Sequence, residues 1–249
     1  GSPARKPAVV FVHGGPSRQL LLGWHYGDYY ANTYAMNQYL ASQGYVVLAV
    51  NYRLGIGYGR EFQRARQAGA QGASEYQDVK AAGEWLRRQP NVDPARIGVY
   101  GGSYGGYLTA LALARDSDLF AAGVDIHGVH DFTSEGGRRL GMGTWRYEPT
   151  DRDSAATIAW RSSPVADVAT WKSPVLFIHG DDDRNVRFAE TVDLVQRLRA
   201  AGVPFEELII PDDTHHWMLH ANAIRVNRAT AEFFDRTLKR GETRAADRR

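Results

Sequence analysis

The chain has 249 residues, 43% hydrophobic and 23% charged, enough to bury one core of ordinary domain size. Thirty Lys+Arg against 28 Asp+Glu leave +2, and since residues 239–249 hold five basic and two acidic side chains, the rest of the chain carries a net −1; without a basic body, nucleic acid is excluded as the main partner. The absence of cysteine excludes a disulfide framework, thiolate-ligated zinc, a cysteine-bound iron–sulfur cluster and a thiol nucleophile, and no apolar run approaches the roughly 18 residues that cross a bilayer.

Residues 1–8 read as a tag-like start, because Gly1-Ser2 before Pro3-Ala4-Arg5-Lys6 lacks the anatomy of a signal peptide. Cysteine-free domains work in reducing and oxidising compartments alike, so no localisation is assigned. Apolar runs at 9–12 and 45–50 predict two strands. Ser74 with Gln77 three residues on forms a capping-box pattern, and Tyr76, Val79, Gly83 and Leu86 then share one helical face before Arg87, Arg88 and Pro90 end it. A strand at 97–100 runs directly into a Gly-rich turn and a helix-like apolar stretch at 107–113, and a strand follows at 123–126. Between Gly128 and Thr170 the periodicity disappears amid Gly136-Gly137, Gly141, Gly143, Trp145, Trp160 and Pro164, which predicts a long excursion over the loop face. A strand at 175–178 precedes a helix over about 187–201, with Phe188, Val192, Val195 and Leu198 inward and Gly202 as its stop. The pattern closes with a strand at 207–210, a helix over about 221–238 and a charged tail, 239–249, expected to be disordered. Six short β-branched runs alternating with amphipathic stretches predict an α/β fold, a mostly parallel sheet with helices on both faces.

Gly101-Gly102-Ser103-Tyr104-Gly105-Gly106 sits between a strand and a helix, the context of a nucleophile elbow, in which glycines allow so sharp a turn that a serine Oγ stands clear of the backbone. A serine hydroxyl needs a base to take its proton and an acid to orient that base. Asp181-Asp182-Asp183 follow the strand at 175–178 and His215-His216 follow the strand at 207–210, so the order Ser, Asp, His is present while spacing leaves the choice within each group open. A metal site built from Asp213, His215, His216 and His220 is the weaker alternative, since it leaves the elbow serine unexplained. His13-Gly14-Gly15-Pro16 after the first strand offers a backbone N–H opposite that of Tyr104, the two donors that a tetrahedral oxyanion needs.

These motifs, with Asn51-Tyr52-Arg53, Gly57-Tyr58-Gly59, His179-Gly180 ahead of Asp183 and Val186, and Pro211-Asp212-Asp213-Thr214-His215, resemble the catalytic domain of the prolyl oligopeptidase family from about residue 9 to 238. The resemblance implies an α/β-hydrolase fold and a serine peptidase acting on short peptides, with Ser103, Asp183 and His215 as the catalytic triad and with no cofactor and no metal. It implies Tyr104 with Gly14 or Gly15 as oxyanion donors, Asn185 as a holder of substrate carbonyl, and Tyr104, Val129, Phe132 and Val186 along the side-chain pocket; for Val129 and Phe132, ordinary packing is the alternative. Leu54-Gly55-Ile56 departs from the family's Gly-Ser pair, and His13 stands where some members have an oxyanion tyrosine, which favours a backbone donor. The family's N-terminal β-propeller and the first strands of its sheet have no counterpart before residue 9, so a propeller is expected as a partner in a longer parent chain. A homo-oligomer stays open and no membrane partner is expected. Two rival readings remain: a carboxylesterase on the same fold, or a catalytically impaired fragment of a larger peptidase.

Overall fold

The computed structural model describes residues 4–134 and 152–240. Alternation of apolar side chains between two faces produces the sheet: Val9 and Phe11 enter one core, while Ala8, Val10 and Val12 enter the other. The strands are β1 (Lys6–Val12), β2 (Val46–Val50), β3 (Val92–Gly102), β4 (Ala122–Ile126), β5 (Val175–Gly180) and β6 (Phe205–Ile210), all parallel in the order β2-β1-β3-β4-β5-β6. All six predicted runs form strands. The largest difference is at β3, which begins at Val92 instead of 97: Val92 pairs with Lys6, and a register shift between Lys6 and Ala8 absorbs the intervening Pro94.

Helices cover both faces. They are α1 (Asp28–Ser42), α2 (Arg60–Gln63), α3 (Tyr76–Arg87), α4 (Tyr104–Arg115), α5 (Arg152–Arg161), α6 (Ala189–Ala201) and α7 (His220–Phe234). Tyr76, Val79 and Leu86 of α3, Leu108 and Leu111 of α4 and Leu194 and Leu198 of α6 join one core, whereas Met36 and Leu40 of α1 and Val226, Phe233 and Phe234 of α7 join the other. Helix α4 is buried from Tyr104 to Ala114, which explains why its sequence is apolar all round.

Several local expectations change. Ser74 does not cap α3; its hydroxyl donates to the Arg66 carbonyl oxygen at 2.7 Å, and Glu75 takes the cap position without a side-chain bond to the helix. Helix α6 ends as expected at Gly202 in the left-handed conformation (φ 72°), but Thr191 and Leu194 are buried and Val192 faces outward. The expected excursion is helical at its end, through α5 and a 3-10 turn at Pro164–Thr170, and its residues 135–151 lie outside the described residues. The same holds for residues 1–3 of the tag-like start and for residues 241–249 of the tail. Helix α1 had no sequence signal: Gly27 supplies no side-chain cap, and its buried positions, Tyr30, Thr33, Met36 and Leu40, are half polar or hydroxylated.

Because the strands are parallel, their carboxyl ends share one edge. The chain leaves β1 for β2 on one side and then crosses to β3 on the other, and a crevice opens where strand order reverses. No described helix is long and apolar enough to cross a membrane.

Candidate active site

Sheet register assembles the site. Val12 lies opposite Gly101, Gly102 opposite Ile126, Ile126 opposite Ile178, and Gly180 opposite Ile210, so the turns at His13, Ser103, His127, Asp183 and His215 leave the sheet side by side. Ser103 occupies a strained backbone conformation for a residue with a Cβ, φ 59° and ψ −119°, anchored by its N–H on the Ile126 carbonyl at 2.9 Å. Gly101 and Gly105 make that turn possible: a Cβ on either would strike the Val12 carbonyl oxygen. Helix α4 starts at the next residue, Tyr104, whose N–H has no acceptor within the helix.

The three aspartates separate by partner. Asp181 Oδ1 accepts the Asp212 N–H at 2.7 Å and ties the loops after β5 and β6 together. Asp182 faces solvent and pairs with Arg184 at 3.2 Å. Asp183 is buried; its Oδ1 accepts the Asn185 and Val186 N–H groups at 2.8 and 2.9 Å, and its Oδ2 accepts from His215 Nδ1 at 2.6 Å. Burial alone would raise the Asp183 pKa, but hydrogen bonds from His179 and His215 outweigh it and hold the carboxyl well below the usual range. With Nδ1 donating to Asp183, His215 keeps Nε2 free to accept a proton.

His215 is also packed face to face against His127, ring centroids 4.1 Å apart. His127 escaped the sequence reading, since a lone histidine after a strand carries no distinctive spacing. Burial first, then the nearby His215 and His179, pushes its pKa well below the ordinary value, so the ring is neutral. Among the described residues, His127, Asp183 and His215 are the group able to approach a metal ion together. The two imidazoles stack instead of converging edge-on, and 2.6 Å between His215 Nδ1 and Asp183 Oδ2 is a direct hydrogen-bond distance. Of the alternative metal group, Asp213 instead accepts the Thr214 and Met218 N–H groups at 2.8 and 2.9 Å, while His216 and His220 are exposed.

A cleft of about 610 Å³ opens over these residues, lined by Ser103, His127 and His215 together with Tyr30, Asn185 and Arg18. The model of the prolyl oligopeptidase family matches residues 30–241, most of the chain. The chain belongs to the prolyl oligopeptidase family. Dipeptidyl aminopeptidase BIII of Pseudoxanthomonas mexicana is 30% identical over 93% of this chain and 33% of its own length. Among solved structures, a puromycin-hydrolyzing peptidase of Mycobacterium tuberculosis superposes with a TM-score of 0.81 at 26% identity, covering 96% of this chain and 35% of its own. Acylaminoacyl peptidase of Pyrococcus horikoshii gives 0.79 at 27% identity, covering 96% and 38%. The fold is therefore that of the α/β-hydrolase peptidases, and the chain spans about a third of the length of these relatives.

The remaining residues that the family resemblance singles out fall into two groups. Asn185 and Gly15 line the cleft. Val129, Phe132, Val186 and Tyr104 are buried together in the core on the α4 side, with Phe132 against Tyr107 at a ring separation of 4.9 Å. Tyr104 further donates its hydroxyl to the buried Glu75 at 2.7 Å, and burial raises the Glu75 pKa. Gly14 is not free: its N–H donates to the Tyr30 hydroxyl at 3.1 Å. His13 is a buried support for this turn, its Nδ1–H bonded to the Gly14 carbonyl at 2.7 Å and its ring stacked on Tyr52 at 4.3 Å; burial drives its pKa down to about 4.

Proposed function

We propose that this chain carries the hydrolytic site of a serine peptidase acting on short peptides, with Ser103 as nucleophile, His215 as base and then acid, and Asp183 as the orienting carboxylate. The observation that carries the reading is the buried 2.6 Å Asp183–His215 bond in the cleft that also holds the Ser103 turn. Ser103 Oγ attacks the carbonyl carbon as its proton passes to His215 Nε2; the resulting imidazolium keeps its Nδ1–H on Asp183, and the tetrahedral oxyanion meets the Tyr104 N–H. Collapse expels the amine, which leaves with the proton from His215, and water repeats the sequence on the acyl-enzyme. Asn185, on the cleft wall, holds a carbonyl of the substrate. The pocket for the side chain before the scissile bond is assigned to Tyr104, Val129, Phe132 and Val186, which lie behind the cleft wall in the core on the α4 side. Peptides are the substrate class because the similar proteins are peptidases by name.

These four pocket residues are closed against one another, and that packing favours ester turnover as a second activity of the same site, since an ester needs less binding energy to reach its transition state. Hydrolysis of aminoacyl p-nitroanilides and p-nitrophenyl esters by the chain and by Ser103→Ala tests both readings. Anilide turnover abolished by the substitution is expected; turnover of esters alone would contradict a peptidase.

A further inference from the structure

Tyr30, in the first turn of α1, lines the cleft with Gly102, Ser103 and His215 and is 7% exposed. Its hydroxyl oxygen accepts the Gly14 N–H at 3.1 Å, which occupies one of the two candidates for the backbone donor expected of the turn after β1. A phenol that accepts in this way still has its own proton to give, and among the described residues no acceptor takes it. One point in space, the position a Cβ would take on Gly14, lies 3.2 Å from both Ser103 Cβ and Tyr30 Oη, so those two atoms are separated by at most twice that distance. An oxyanion donor sits roughly 2.7–3.1 Å from the oxygen it stabilises. The carbonyl oxygen of an acyl group on Ser103 is two bonds from Oγ, so the span between the serine and the phenol fits one such oxygen. The Arg18 guanidinium lies 5.3 Å from the Tyr30 ring centre and strengthens the hydroxyl as a donor. Burial raises the Tyr30 pKa while Arg18 and the Gly14 N–H act against it, so the group is a protonated phenol at neutral pH.

We infer that the Tyr30 hydroxyl is an oxyanion donor, opposite the Tyr104 N–H, with the Gly14 N–H polarising it from behind. The inference rests on Ser103 being the nucleophile. It places the donor on helix α1, so that the turn itself contributes through the phenol instead of through Gly14.

The test is Tyr30→Phe in the same chain, which deletes one oxygen and keeps the ring. With the best p-nitroanilide or p-nitrophenyl ester of the wild type, kcat is expected to fall about 100-fold while KM stays within about twofold. The aldehyde of the same peptide, which forms a tetrahedral adduct on Ser103, should lose a similar factor in affinity, and the free acid, which forms none, should lose little. The ratio of the two affinities does not depend on the fraction of folded enzyme, so it decides the matter even if the variant is less stable. Full turnover in Tyr30→Phe would assign the donor to the Gly15 N–H and overturn the inference, as would equal loss of affinity for aldehyde and acid. Failure of a fluorophosphonate to label Ser103 in the wild type would sink the serine-peptidase reading itself. Labelling of Ser103 with an unimpaired Tyr30→Phe sinks only the role of the phenol.

Discussion

At the residue scale, the question left by the sequence is which of three aspartates and two histidines do the chemistry. Spacing cannot separate them, because the answer depends on how two loops, thirty residues apart in the chain, meet in space. In the structure each aspartate has a distinct partner: Asp181 takes a backbone N–H of the next loop, Asp182 an arginine in solvent, and Asp183 the His215 imidazole. Asp183→Asn removes the charge that supports an imidazolium and lets the ring turn to the wrong tautomer, so kcat should fall by about four orders of magnitude. Asp182→Asn loses only an exposed ion pair and should leave kcat within about twofold. Steady-state kinetics on the two variants checks the assignment; comparable losses would contradict it. Tyr30 and His127 were not legible at all, since each acquires meaning only from what packs against it.

At the element scale, the unit of β3, the Ser103 turn and α4 was readable because glycines must occur where backbones touch. Gly105→Ala would push a methyl group into the Val12 carbonyl, a backbone atom that cannot swing aside, so a loss of about 3 kcal/mol is expected from denaturant unfolding, the upper end for overpacking. A midpoint unchanged from wild type would contradict the packing described for β1 against α4. The segment after β4 is held by a buried network that the sequence does not announce. His130 Nε2 faces Asp125 Oδ2 at 2.7 Å and its Nδ1 faces the Glu190 carbonyl at 2.9 Å. Both partners accept, so both ring nitrogens must donate, and the ring is an imidazolium. Burial opposes that charge, but Asp125 and Glu190 outweigh it and raise the His130 pKa. A raised folded-state pKa contributes stability that is fully present below the unfolded value of about 6.5 and is lost as pH rises through the folded value. The stability difference between the wild type and His130→Gln should therefore shrink as pH is raised from 6 to 9, measured by urea unfolding. A difference that grows with pH would show that the ring is neutral in the folded chain. Helix α1 is the longest helix without a sequence signal, because tyrosines and asparagines blur its apolar face and Gly27 leaves its start unmarked.

At the scale of the whole molecule, the architecture was the most legible feature. Repeated short β-branched runs have one economical solution, a parallel sheet whose two faces both need cover, and the helices supply that cover on each side. The order β2-β1-β3-β4-β5-β6 puts a strand-order reversal between β1 and β3, and the HGGP turn and the Ser103 turn flank that reversal. The near-neutral charge belongs to the chain as a whole; the cleft itself is lined by Arg18, Arg184 and Arg187 against Asp28. The central claim, that Ser103 is an activated nucleophile in that cleft, is tested most directly by treating the folded chain with a fluorophosphonate and mapping the adduct by peptide mass spectrometry. The account predicts one equivalent of label, carried by the peptide containing Ser103 and lost in His215→Ala as well as in Ser103→Ala. A native chain that takes up no label, or takes it up on another residue, would contradict it.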